Sequence, residues 1–428
     1  MTDVVVTGVG AVHPFGRGVD ALWAGVLGAG TGVRPVERFD TRGLPTRFAA
    51  QVPEDVRAAL PDPDAEWSFR YALAALDDAL ADAGLDAAAV AGAPCEVHFG
   101  FESPFYDFAA IGHRLAAALA GGRVDARRLA ATGGDDLAWG LPERFLRGVE
   151  ARCGRVETVS MVAAACASAT EAIGAGLRAV RSGRVPVALV GAGDCKVNPI
   201  AFGATAILQM TSRRNDSPET ASRPFDRTRD GMVIGEGGAA LVLESAAHAR
   251  ARGARVLARL AGFASTADAR HLTDPDEEGR TAARAIREAL ADAGLETVDY
   301  VNAHGTSTAM NDRAEVAALK RAFAGRAMPA MSSTKGATGH LMAASGALEA
   351  VVCVRALAEQ TVPPTLHFRE PDPRCDIDVT PNVPRRARLE AICSSSFGFG
   401  GQNACLVLTH PRSNLGRRAD HEREEARI

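Results

Sequence analysis

The chain has 428 residues, with 48 Lys+Arg against 52 Asp+Glu and a formal net charge of −4. That balance argues against a nucleic-acid binder held by phosphate contacts, and 47% hydrophobic with 23% charged residues is the composition of a folded chain of two domains or one large one. No run of 18 apolar residues occurs and no basic segment precedes Val4-Val5-Val6, so neither a membrane span nor a signal peptide is predicted.

In chain order, short apolar runs end or begin in glycines. Residues 4–6 lead into Thr7-Gly8-Val9-Gly10, residues 187–190 into Gly191-Ala192-Gly193, and residues 240–243 follow Gly235-Glu236-Gly237-Gly238. Continuous β-branched runs of this kind predict strands buried on both faces. Between them, alanine-rich segments at 69–83, 169–181, 281–293 and 343–358 have helical periodicity. Strand–helix alternation predicts layered α/β architecture.

The string Ala-Leu-Ala-Asp-Ala-Gly-Leu occurs at 79–85 and again at 289–295. Each copy ends a helix with glycine at the stop position and precedes a strand-like run, at 96–100 and 299–303. A fainter echo links 166–172 to 343–350. Two echoes in one order predict two similar halves, about 1–250 and 255–410, followed by a charge-dense, disordered tail at 411–428. The eight cysteines form no CxxC pair and read as thiols of a reducing compartment, so a cytoplasmic location is expected.

Four segments carry possible chemistry. Cys166 follows Val162-Ala163-Ala164-Ala165 where a helix begins. The helix dipole there lowers a thiol pKa and favours a nucleophile, although a buried structural cysteine fits equally well. His304, in Asn302-Ala303-His304-Gly305-Thr306-Ser307-Thr308, sits in a glycine-bearing loop after a strand, where it reads either as a substrate contact or as a turn cap. Lys335 and His340 stand among small residues in Ser332–Ser345, ahead of a helix whose N-terminus would keep the imidazole neutral; a surface lysine and a cap histidine are the alternative. In Ser394-Ser395-Ser396-Phe397-Gly398-Phe399-Gly400-Gly401-Gln402-Asn403, dense glycines let backbone N–H groups approach a carbonyl, or simply form a bulged turn. Together, one cysteine and two histidines on such loops, with no carboxylate orienter in view, point to acyl transfer through a thioester and away from a hydrolase triad.

These segments, with Arg214-Asn215-Asp216, Ala221-Ser222-Arg223-Pro224-Phe225-Asp226, Arg229-Asp230-Gly231 and Gly235-Glu236-Gly237, resemble the elongating β-ketoacyl-acyl carrier protein synthases of the thiolase superfamily, from Val4 to about Leu408. The resemblance implies a thiolase-like fold of duplicated α/β halves in a five-layered αβαβα core, and a dimer. It implies that Cys166 carries the acyl chain, that the N–H groups of Cys166 and Phe399 form the oxyanion hole, and that Phe399 gates the thiol. His304 and His340 would hold the malonyl thioester carbonyl during decarboxylation, Lys335 and Glu349 would form the supporting ion pair, and Thr306 and Thr308 would bind the pantetheine arm. No metal and no cofactor is expected, since the substrates ride on the phosphopantetheine of an acyl carrier protein. Cys393 and Cys405 flank the 397–403 loop without entering it, unlike the second cysteine of degradative thiolases.

The chain also departs from the family. Residues 205–212 replace the usual Gly-Phe and Ala-Arg-Ala-Leu-Ser pattern, Phe101-Glu102-Ser103-Pro104-Phe105-Tyr106 replaces a glycine-rich turn beside the acyl tunnel, and Asp62, Asp64 and Glu66 stand where a basic docking cluster is usual. These changes, with the weaker signal of Asn311-Asp312-Arg313, predict a ketosynthase of type II polyketide biosynthesis. It would act as a homodimer, or as a heterodimer with a ketosynthase-like chain-length factor lacking the cysteine. Primary fatty acid elongation is the alternative, and a non-catalytic chain-length subunit is opposed by the presence of Cys166, His304, Lys335 and His340. Arg70, Arg213 and Arg214 are the expected contacts for an acidic carrier.

Overall fold

The structure, a computed structural model, describes residues 2–28, 30–63, 65–102, 108–132 and 142–413. The expectations for Asp64, for 103–106 and for the tail from 414 onward lie outside the described residues. Ten strands make one path: β1 (Val4–His13), β2 (Cys95–Gly100), β3 (Thr158–Val162), β4 (Val187–Cys195), β5 (Glu236–Ser245), β6 (Ala258–Ala267), β7 (Tyr300–Asn302), β8 (Ala330–Ser332), β9 (Ala391–Gly398) and β10 (Gln402–Thr409). Their order is β8-β7-β9-β10-β6-β1-β5-β4-β2-β3. Cut between β6 and β1, the path gives two five-stranded sheets of the same order and the same sense. In each, the two strands nearest the cut pair antiparallel with their neighbours and the outer two pairings are parallel. The halves meet where Val5 and Val6 pair with Arg259 and Ala258.

Helices fill the layers. α1 (Trp67–Ala83) covers the outer face of the first sheet and α3 (Arg280–Asp292) covers the second, with α4 (Ala309–Ala322) packed against α3. α2 (Ser168–Arg181) and α5 (Ser345–Glu359) lie between the sheets and touch strands of both. The result is the five-layered αβαβα core. The central helices are so buried that α5 keeps only Arg355, Ala358 and Glu359 away from the core. That burial is why its sequence reads as apolar nearly all round.

The seven-residue repeat has a physical cause. Each copy is the end of an outer helix, packed on a bulged strand at Val6–Gly8 of β1 or Leu260–Gly262 of β6. A Cβ on Gly8 would lie 2.2 Å from the Ala79 carbonyl oxygen, and one on Gly262 would lie 2.3 Å from that of Ala289. The bulge leaves an N–H without a ladder partner. The repeat's aspartate accepts it in both halves: Val9 N–H to Asp82 at 3.1 Å and Phe263 N–H to Asp292 at 2.9 Å. The glycines expected to end strands instead lie inside them. β1 runs through Gly8 and Gly10 to His13, and β4 runs through Gly191 and Gly193 to Cys195, where neighbouring backbone leaves no room for a side chain: a Cβ on Gly193 would lie 1.9 Å from the Ser68 carbonyl oxygen of the crossing helix, and one on Gly191 would lie 2.4 Å from the Ala239 carbonyl oxygen of β5.

Candidate active site

β3 hands the chain to α2 through a tight turn at 163–167. Ala165 is left-handed, with φ +48°, a conformation costing a non-glycine residue about 1–3 kcal/mol. Ser168 holds the turn: its hydroxyl accepts the Ala164 N–H at 2.8 Å and donates to the Ala165 carbonyl at 2.6 Å. The turn presents Cys166 two residues ahead of α2. A Cβ on Gly398 would lie 2.8 Å from the Ala164 carbonyl oxygen and 3.3 Å from the Cys166 nitrogen, so only glycine lets the end of β9 pass this close to the cysteine's amide.

The thiol is buried against Met232 and Met342. This overturns the expectation of a lowered thiol pKa. Burial pushes Cys166 up, Glu102 and Asp194 add to the rise, and Lys335 and Lys196 only partly oppose it. Two residues separate the thiol from the start of the helix, and the Met232–Met342 wall desolvates it.

His304 follows β7. The carboxylate of Glu315, on α4, accepts both the His304 and the Gly305 N–H groups at 2.7 Å, and also the Ser395 hydroxyl at 3.1 Å. His340 is pinned by its own backbone. Its N–H donates to Val233 at 2.7 Å and its carbonyl accepts from Gly235 at 2.8 Å. Its Nδ1 meets the Ser345 hydroxyl at 2.8 Å and its Nε2 lies 3.1 Å from Cys166 Sγ. The two imidazoles stand edge to face, 5.2 Å between centroids, and Phe397 packs on His304 at 5.8 Å. Burial holds both well below the usual imidazole pKa, and the nearby Lys335 ammonium pushes the same way. Both rings are therefore neutral hydrogen-bonding groups near pH 7. For His340 the cause is burial more than the helix end expected from the sequence. The Lys335 ammonium pairs with Glu349 in the same buried layer.

Cys166, His304, His340, Thr306, Thr308 and Phe399 all line one cavity of about 320 Å3. The Thr306 and Thr308 hydroxyls meet at 2.9 Å. The 397–403 loop is tied to the cavity's rim, because Gly400 N–H donates to the Leu272 carbonyl at 2.8 Å and Asn403 to Asp268 at 2.8 Å. Of the expected docking arginines, Arg213 is exposed. Arg214 is half-buried, with Nε 3.4 Å from Asp230. Arg70 is a correction. It is buried, donates to the Leu60 and Pro61 carbonyls and lies 4.0 Å over the Trp67 ring, so its charge is spent inside the fold.

Sequence reading missed Glu315 and Ser345. Glu315 had a signal. Asp312 and Glu315 are three apart on one helix face, both are buried, and Asp312 takes the Phe225 N–H at 2.8 Å. Burial lifts Glu315 to about 7.

A layered fold with a Cys-His-His site at the end of its central helix defines a condensing acyltransferase of the thiolase type. The β-ketoacyl synthase N-terminal domain matches residues 1–249 and the C-terminal domain matches residues 257–369. The chain belongs to the β-ketoacyl synthase family. A putative polyketide beta-ketoacyl synthase 1 of Streptomyces halstedii is 40% identical over 96% of this chain and 99% of its own length. A 3-oxoacyl-[acyl-carrier-protein] synthase 2 of Coxiella burnetii is 35% identical over 95% and 98%. Among solved structures, a type II polyketide ketosynthase in complex with its acyl carrier protein, bound to a hexaketide, superposes with a TM-score of 0.86 at 31% identity, covering 95% of this chain and 99% of that one. The ishigamide ketosynthase/chain length factor gives 0.81 at 34%, covering 95% and 99%. No described helix is long and apolar enough to cross a membrane.

Proposed function

We propose that the protein condenses a malonyl unit with an acyl chain held on Cys166, giving a β-ketoacyl thioester two carbons longer, in type II polyketide biosynthesis. The observation that carries this reading is the approach of His340 Nε2 to Cys166 Sγ at 3.1 Å, with neutral His304 beside it, in one cavity. Cys166 attacks the carbonyl of a phosphopantetheine thioester and passes its proton to His340. The oxyanion lies between the N–H groups of Cys166 and Phe399, and the pantetheine thiol leaves with the proton. The malonyl thioester then enters along Thr306 and Thr308. His304 and His340 hydrogen-bond its carbonyl, CO2 departs, and the bonding pair passes into an enolate held by the two N–H donors. The enolate carbon attacks the acyl carbonyl and the Cys166 thiolate leaves. Lys335 and Glu349 fix the charge behind the histidines. No metal and no cofactor enters these steps.

Neutral imidazoles suit this chemistry. They stabilise an enolate without first protonating it, and burial makes each hydrogen bond stronger than it would be in water. The partners are an acyl carrier protein and a second chain, either a copy or a ketosynthase-like chain-length factor. The polyketide over the fatty acid reading rests on the altered segments at 101–106 and 205–212 and on the 40% identical polyketide relative.

Intact-protein mass spectrometry with a panel of acyl-carrier thioesters tests the reading. The wild type gains the mass of one acyl group and Cys166→Ala gains none. Equal labelling of both removes Cys166 as the acyl carrier. Full-rate elongation of saturated acyl chains through several lengths by this chain alone removes the polyketide assignment.

A further inference from the structure

The same three side chains have a second chemistry. Cys166 Sγ and one ring nitrogen each of His304 and His340 all lie within 4.8 Å of one another, and all three residues are buried. One thiolate and two imidazoles form a donor set for a borderline-soft divalent cation, whereas Mg2+ and Ca2+ require oxygen ligands. Tetrahedral zinc, with bonds of about 2.3 Å to sulfur and about 2.0–2.1 Å to nitrogen, holds such ligands about 3.3–3.6 Å apart. The Nε2–Sγ pair is already at 3.1 Å, so side-chain rotations of about an ångström complete the set.

The surroundings favour the same ion. Ser345 holds His340 Nδ1 at 2.8 Å, which leaves Nε2 aimed at the centre, the outer hydrogen bond that metal-bound histidines use. All three residues line the cavity, which has room for a water as a fourth ligand. Asp230, Asp268 and Asp274 line that cavity, and among the described residues no lysine or arginine does. Lys335 lies behind the imidazoles, but its charge is paired with Glu349.

We propose that Cys166, His304 and His340 capture one zinc ion, which reversibly silences the nucleophile. A sulfur–zinc bond forms, the thiol proton leaves to solvent, and one water stays on the metal. The ion is a blocker and not a cofactor, and it competes with the acyl donor for the same sulfur. The inference does not depend on the condensation reading.

Calorimetric titration of the purified full chain with Zn2+, and absorption spectroscopy with Co2+ in its place, test it. One equivalent of zinc binds per chain. Cobalt gives a near-ultraviolet thiolate charge-transfer band and the visible bands of a tetrahedral ion. Both signals vanish in Cys166→Ala, and in Cys166→Ser should the alanine variant fail to fold. Ser345→Ala weakens zinc about 10–100-fold. Zinc blocks Cys166 acylation in the mass assay, a chelator restores it, and Mg2+ has no effect. Zinc titration that persists unchanged in Cys166→Ala and in His340→Ala overturns the proposal, as does a cobalt complex without thiolate absorption. Zinc bound at Cys166 in a chain that no acyl donor labels, alone or co-expressed with a chain-length factor, would instead remove the condensation reading and leave this one.

Discussion

The residue scale is governed by burial. Helix-end cysteines in solvent approach the thiolate form, but Cys166 sits among methionines and is held as a thiol. A raised thiol pKa leaves the protonated form dominant at pH 7, and the thiolate fraction climbs about tenfold per pH unit until the raised value is reached. Iodoacetamide alkylation of Cys166, followed by mass, therefore keeps accelerating above pH 9. A rate already flat between pH 6 and 8 would show a thiolate–imidazolium pair instead. The histidines run the other way. Both are depressed, so each stays neutral below the ordinary imidazole value of about 6.5. Decarboxylation of a malonyl thioester keeps its rate between pH 7.5 and 6, and an acid limb with its midpoint near 6.5 would contradict the assignment. Sequence could place Cys166, His304 and His340 by motif. It could not give their protonation, because the desolvating residues (Met232, Met342 and the Lys335–Glu349 layer) come from distant parts of the chain.

Element-scale structure was legible where a local pattern is complete. The helices at 69–83, 169–181 and 281–293 match α1, α2 and α3 to within two residues, and α5 begins two residues later than expected because a short 3-10 turn at Met342–Ala344 precedes it. Strand ends were misread, since a glycine inside a strand and one at its end look alike until the crossing helix is placed. The repeat was seen but its role was not. Asp82 and Asp292 are N–H acceptors for the two bulges, and both also take arginine partners, Arg255 and Arg181. Asp292→Ala leaves the Phe263 N–H unsatisfied and lowers stability by about 1–3 kcal/mol, read as a lower denaturant midpoint with unchanged slope. Gly262→Ala forces a Cβ to within 2.3 Å of the Ala289 carbonyl oxygen and costs a similar amount by overpacking. If Asp292→Ala is neutral while Gly262→Ala is not, the repeat is kept for packing alone. Glu315 acts across elements. It ties α4 to the His304 loop and to β9 through three hydrogen bonds, so Glu315→Ala lowers decarboxylation more than it lowers acylation of Cys166. Equal losses in both would mean a general collapse of the site.

At the scale of the whole molecule, the two sheets place the reactive groups of one half against those of the other. Cys166 comes from the first half, and His304, His340 and the 397–403 loop come from the second. Charge distribution then decides how a carrier reaches them. Arg70 is committed to the interior, Arg214 is near Asp230, and the cavity carries Asp230, Asp268 and Asp274. Arg213 is the expected docking cation that stays exposed. An acidic carrier therefore meets a mixed surface, in contrast to the basic docking cluster usual in the resembled family. Exposed apolar side chains lie next to cavity residues: Leu208 is 59% exposed beside Gln209, and Leu272 is 78% exposed beside Thr273. Steering by one cation in physiological salt is weak, because the screening length is about 8 Å, whereas apolar burial is not screened by salt. Arg213→Glu should accordingly raise the apparent KM for carrier-bound substrate by no more than about fivefold, the equivalent of about 1 kcal/mol for an exposed pair. It should leave a short pantetheine thioester unaffected. Leu208→Ser should raise the carrier KM at both low and high salt, whereas the Arg213→Glu effect should fade as salt rises. Equal changes with carrier and with pantetheine substrates would place both residues outside the docking contact.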